Sequence, residues 1–161
     1  MTETVALTEF KRGVQMLRDA RPHNALAHFR KAANLEENNP YYISFVGVSL
    51  ARAERKWKTA LELCELALSL KRNEAQLYLN LAEVYTSAGQ REEALITLDR
   101  ALASLGPQAH IQEARLKLGR RRSPALPFLD RQNFLNKHLG TLRHRILTWA
   151  NGLHFPMLHS S

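Results

Sequence analysis

The chain has 161 residues, 45% of them apolar, 24% charged and 7% aromatic, which excludes collagen-like, mucin-like and wholly disordered classes. The net charge of +8 is unevenly spread: residues 1–119 carry 16 Lys/Arg against 14 Asp/Glu, while residues 120–161 carry 7 against 1. A nearly neutral body is therefore followed by a basic tail, and the lone cysteine, Cys64, leaves no internal disulfide and fits a reducing, cytoplasmic compartment.

At the start, Met1-Thr-Glu-Thr-Val5 has no basic stretch leading into an apolar one, so no secretory leader is expected. The best apolar run, Ile43 to Ala51, falls far short of a membrane span. From there on the dominant signal is a repeat. Ala25, Ala60 and Ala94 are 35 and 34 residues apart, and Phe29, Cys64 and Leu98 and then Ala32, Ala67 and Ala101 keep the same step. Gly13, Gly47 and Ala82 follow at 34 and 35. Each column holds either small or bulky apolar side chains, as expected where helices touch and groove partners fill the space.

In the first unit Gly13, Met16, Ala25, Phe29 and Ala32 fit this rhythm, whereas Glu9 and Arg12 stand in apolar columns; an end unit facing water would explain them. The second unit reads Ile43-x2-Val46-Gly47-x2-Leu50, then Ala60, Cys64 and Ala67, with one extra residue in the turn between Glu54 and Lys58. The third is the clearest: Leu77, Leu81, Val84 and Tyr85, then Ala94, Leu95, Leu98, Ala101 and Leu102 recur at helical spacing. Between these two helices Gly89 is a candidate left-handed cap, and Glu92-Glu93 favour the next N-terminus. Each unit is thus a predicted helical hairpin.

This pattern of about 34 residues, with Tyr78-x2-Leu81-Ala82-x2-Tyr85 and Ala94-x3-Leu98-x2-Ala101, resembles the tetratricopeptide repeat over roughly residues 6 to 104. The resemblance implies an all-α, right-handed superhelical solenoid of three hairpins, about 6–39, 40–74 and 75–108. A capping helix is expected at about 109–119, where Ile111, Ala114, Arg115 and Leu118 share one face before Gly119. In such a fold Trp57 would serve as the turn aromatic of the second unit.

Beyond it, Arg120-Arg-Arg-Ser-Pro124-Ala-Leu-Pro127-Phe-Leu is non-helical at its prolines. Leu135, Leu139, Leu142, Ile146 and Trp149 then predict an additional amphipathic tail helix, with Lys137, Arg143 and Arg145 on its other faces. With Arg120, Arg121 and Arg122 these cations make a candidate contact for nucleic acid, an anionic membrane or an acidic partner.

No H-E-x-x-H, Walker-type glycine loop, G-x-S-x-G or C-x-x-C occurs, so neither an enzyme, a cofactor nor a metal is expected. Cys64 lies in a packing column rather than in a reactive setting. By resemblance, function would sit on the concave face lined by the first helix of each unit: Leu7, Phe10, Val14 and Leu17; Tyr41, Ser44, Val48 and Arg52; Gln76, Leu79, Glu83 and Thr86. Family members that grip a peptide's terminal carboxylate use Lys and Asn at set columns, which here hold Phe10, Val14 and Phe45, Asn80 alone being of suitable type. The expected role is a protein–protein interaction adaptor or scaffold taking an apolar extended or helical segment of another protein, or the chain's own C-terminal tail. A dedicated chaperone, similar in length and apolar groove to those of type III secretion, is the alternative. The sequence leaves the oligomeric state open.

Overall fold

The computed structural model describes residues 4–119 as seven helices, with no strand among the described residues: α1 Val5–Arg18, α2 Pro22–Leu35, α3 Pro40–Glu54, α4 Trp57–Leu70, α5 Ala75–Ser87, α6 Arg91–Leu105 and α7 Ala109–Gly119. None of these helices is long and apolar enough to cross a membrane. The expected tail helix and its proline segment lie outside the described residues.

Local chemistry sets most boundaries. Thr4 caps α1 by accepting the Leu7 amide at 3.2 Å, and Asn39 caps α3 by accepting that of Tyr41 at 3.1 Å. Pro22 and Pro40 open α2 and α3, where a missing N–H costs nothing. Between α5 and α6, Gly89 sits at φ +82° as a left-handed cap, and its amide and that of Gln90 return to Thr86 and Tyr85 at 3.1 and 2.9 Å. The first unit makes the same turn with Ala20 at φ 56°, whereas in the second Arg55, at φ 54°, ends α3 with a single return of its amide to Ala51 at 3.2 Å. Glu92 and Glu93 occupy the first turn of α6, where the helix dipole favours them.

Three antiparallel hairpins, α1–α2, α3–α4 and α5–α6, stack through α2 on α3 and α4 on α5, and α7 closes the series against α6 and α5. The repeat columns are the core: Ala25, Phe29, Ala32, Ala60, Cys64, Ala67, Ala94, Leu98 and Ala101 are all fully buried. Close approach is enforced at the small column. A Cβ on Gly13 would meet the Phe29 ring at 2.6 Å, and one on Gly47 would meet the Ala60 carbonyl oxygen and the Cys64 sulfur at 2.8 Å. Burial pushes the Cys64 thiol up to about 12, so it is held as a neutral packing group whose Sγ–H points at the Ser44 carbonyl 3.6 Å away. Trp57 opens α4 and packs, half-buried, against the core.

Glu9, read from the sequence as water-facing, is buried in the hairpin α1–α2, where it accepts from Lys31 Nζ at 2.9 Å and Arg12 at 3.2 Å and lies 2.7 Å from His28 Nδ1. These partners, His28 first, hold its carboxyl down at about 2. The apolar column tolerates the acid because every charge it buries is answered by a neighbour on α2 or α1.

At the other end, Ile111 of α7 is fully buried and Ala114 and Leu118 pack on the same core. Arg91, the first residue of α6, donates to the Leu118 carbonyl at 2.7 and 3.0 Å and to that of Gly119 at 3.4 Å, satisfying the last turn of α7. Arg115, expected on the apolar face of this helix, is exposed and pairs with Asp99 of α6.

Candidate functional site

The first helices α1, α3 and α5 carry the predicted face, and its members have different fates. Phe10 is drawn into a four-ring block: its centroid lies 5.4 Å from Phe29, 4.9 Å from Tyr42 and 5.1 Å from Phe45, the last edge-on. Phe29 and Phe45 complete it at 5.2 Å. Such pairs add to simple burial and wedge bulk between the first hairpin and α3. Consistently, α3 and α5 lie along each other, whereas α1 makes no such extended contact with α3.

Ser44 and Val48 are buried between helices. Ser44 is the centre of a polar ladder: its hydroxyl donates to the Tyr41 carbonyl at 3.0 Å and accepts the Asn80 amide at 2.9 Å, while Asn80 accepts from Gln76 at 2.8 Å. Asn80 is itself buried, so the one polar side chain of a type suited to a terminal carboxylate is spent on joining α5 to α3.

Tyr41 is half-buried, its hydroxyl donating to Glu74 and its ring beneath the Lys71 ammonium, 5.5 Å from the centroid. The Glu74 carboxylate pushes the phenol up to about 12 and is itself lowered by Lys71, 2.7 Å away, and by Tyr41. Arg52 and Glu83 close on each other at 2.6 Å, linking α3 to α5 across the face. Val14, Leu17 and Leu79 are half-buried and Leu7 is exposed. What the structure brings together on this face is a charge pair and four aliphatic side chains. Arg120, Arg121, Arg122, Lys137, Arg143 and Arg145 lie outside the described residues.

With hairpins, columns and face in place, the comparisons agree on the repeat. Residues 51–118 match the family model described as Tetratricopeptide repeat. The chain has the fold of the tetratricopeptide repeat solenoid. No curated protein matches it significantly. Among solved structures, the tetratricopeptide domain of Sgt2 from Aspergillus fumigatus aligns with a TM-score of 0.60 at 11% identity, covering 99% of this chain and 90% of that one. The first such domain of Spaghetti (RPAP3), bound to the HSP90 peptide SRMEEVD, aligns at 0.58 and 19% identity, with 71% and 92% covered. The second such domain of human RPAP3, in complex with the HSP70 peptide SGPTIEEVD, aligns at 0.57 and 15%, with 72% and 96% covered. At these identities the likeness of this chain to them is one of fold.

The repeat spacing marks the columns but not the pairings across them. Arg52 and Glu83 stand in neighbouring columns of consecutive units, an opposite-charge relation visible in the repeat alignment alone. The Ser44–Asn80 link had no such signal, since both residues suit an exposed face equally well.

Proposed function

We propose that this protein is a non-catalytic interaction module, an adaptor whose face of α1, α3 and α5 holds an apolar extended or helical segment of another protein. The observation that carries this reading is the internal satisfaction of the polar groups at the predicted columns. Arg52 is taken by Glu83, Asn80 by Ser44 and Gln76, and Tyr41 by Glu74. Val14, Leu17 and Leu79 remain, and burying hydrocarbon yields about 25 cal/mol per Å² without polar anchors. The peptides held by the two RPAP3 domains both end in Glu-Glu-Val-Asp. A terminal carboxylate of that kind needs unpaired cations, and here the arginine of the face already has a carboxylate partner.

The test is a pair of titrations followed by two-dimensional NMR of the full chain. An amphipathic, leucine-rich helical peptide is expected to shift Val14, Leu17 and Leu79, and Val14→Lys with Leu79→Lys to weaken it about tenfold per lost side chain. The heptapeptide SRMEEVD is expected to leave the spectrum unchanged. Tighter binding of the acidic heptapeptide than of the apolar probe would overturn the reading.

A further inference from the structure

The second helices of the last two hairpins do not close on each other, and between α4 and α6 runs a cleft of about 630 Å³. Its floor is the side of α5 that bears Tyr78, Leu81 and Tyr85. At 100° per residue these lie on the opposite side of that helix from Leu79 and Glu83, so the cleft shares no lining with the face described above.

The cleft is polarised along its length. Because α5 runs antiparallel to α4 and α6, one end collects Glu93, in the first turn of α6, and Glu65, whose carboxylate accepts from the Tyr85 hydroxyl at 3.3 Å. The other end collects Arg72, just past α4, and Arg100, whose guanidinium stands 5.5 Å from the Tyr78 ring centre. Neither Arg72, Arg100 nor Glu93 has an ion-pair partner among the described residues, so the cleft holds charges of both signs unpaired beside an apolar floor. Ile96, exposed on the α6 wall, adds hydrocarbon at mid-length.

From Glu93 to Arg100 the helix rises about 10 Å, the reach of three to four extended residues. In an extended segment, residues i, i+2 and i+4 point the same way. We propose that this cleft is a second recognition site, for an extended segment of a partner protein with a basic, an apolar and an acidic residue at i, i+2 and i+4. The basic side chain meets Glu65 and Glu93, the apolar one packs on Ile96 beside the Tyr85 ring, and the acidic one meets Arg72 and Arg100. The charge order of the cleft selects this occupant over a uniformly apolar helix, which would leave the four charges facing hydrocarbon.

The experiment titrates the full chain with a fluorescent peptide Ser-Lys-Thr-Leu-Thr-Glu-Ser, and with the same peptide carrying Lys in place of Glu, by anisotropy. The first is expected to bind about five-fold tighter. In the chain carrying Arg72→Glu and Arg100→Glu the order reverses, and Arg100→Gln narrows the preference without reversing it, with circular dichroism confirming the helices of each variant. Leu79→Lys is expected to leave both affinities unchanged, which separates this site from the face of α1, α3 and α5. Absence of binding by either peptide, or the same ranking in the charge-reversed chain, overturns the proposal. So does a dimer of the unaltered chain that the charge reversal dissociates, which would give the cleft to a second copy.

Discussion

Gly47 leaves Cys64 no space to spare: a Cβ on the glycine would stand 2.8 Å from the cysteine sulfur and equally close to the Ala60 carbonyl oxygen. The thiol can turn away, but the carbonyl belongs to the first turn of α4 and moves only with the helix. Gly47→Ala is therefore expected to lower stability by about 1–3 kcal/mol, although alanine favours helix by about 0.5–1 kcal/mol over glycine. Thermal unfolding of the pair checks it, and an unchanged or raised midpoint would mean that α3 and α4 separate at no cost. The same change in the third unit is already natural, since Ala82 occupies that column.

Glu9 makes the acid side of the stability curve steep. A carboxyl held at about 2 when folded, against an ordinary 4.5, contributes stability that is whole above about pH 4.5 and lost as the pH falls toward 2. Glu9→Gln is expected to be less stable than the parent at neutral pH and to lose less between pH 4.5 and 2. Urea midpoints at pH 7, 4.5, 3 and 2 decide this; parallel curves for the two proteins would show that the Arg12, His28 and Lys31 contacts do not hold the anion.

Ser49 is fully buried on α3, and its hydroxyl has no hydrogen-bond partner. Removing an unsatisfied polar atom relieves a desolvation cost, so Ser49→Ala is expected to raise stability by about 1 kcal/mol. A Tm rise of about 2–4 °C would follow for a chain of this size. A fall would mean that the oxygen's packing matters more than its missing partner.

Two turns carry avoidable backbone cost. Ala20 and Arg55 adopt the left-handed conformation that Gly89 adopts in the third unit. Ala20→Gly and Arg55→Gly are each expected to stabilise by up to about 1 kcal/mol, since a Cβ there costs about 1–2 kcal/mol and glycine gives part of that back through the unfolded chain. If the two turns act independently, the gains add in the double variant. Denaturant midpoints of the three variants measure this directly.

The buried architecture was legible because the repeat writes it several times. Ala25, Ala60 and Ala94 could be read as core from their spacing alone, and Gly89 as a left-handed cap from its place between two periodic runs. Glu9 was misread because a single charged residue in an apolar column looks like exposure, while the side chains that meet its carboxylate, His28 and Lys31, sit on the facing helix without any repeat relation to it. Ser44 and Val48 fit the column of a lining face, yet α5 covers them, since side chains at the α3–α5 contact are decided by how closely two helices approach. That distance depends on tertiary packing, which periodicity does not encode. The α4–α6 cleft escaped for the same reason: Glu65, Arg72, Glu93 and Arg100 are an unremarkable scatter of surface charges until three helices align them.

The buried side chains fall into a small cluster of Ala6, Ala32 and Tyr42, on which Phe10 packs, and a larger one running from Ile43 to Ile111. Hydrogen exchange should therefore be faster in the hairpin α1–α2 than in α3–α6, since it can open while they stay protected. A segment bound across α1 and α3 would slow exchange in α2 as well, a helix it never touches. Recognition and closure of the first hairpin are then one thermodynamic event, so affinity for a partner can be tuned from residues such as Ala32 that lie wholly out of its reach.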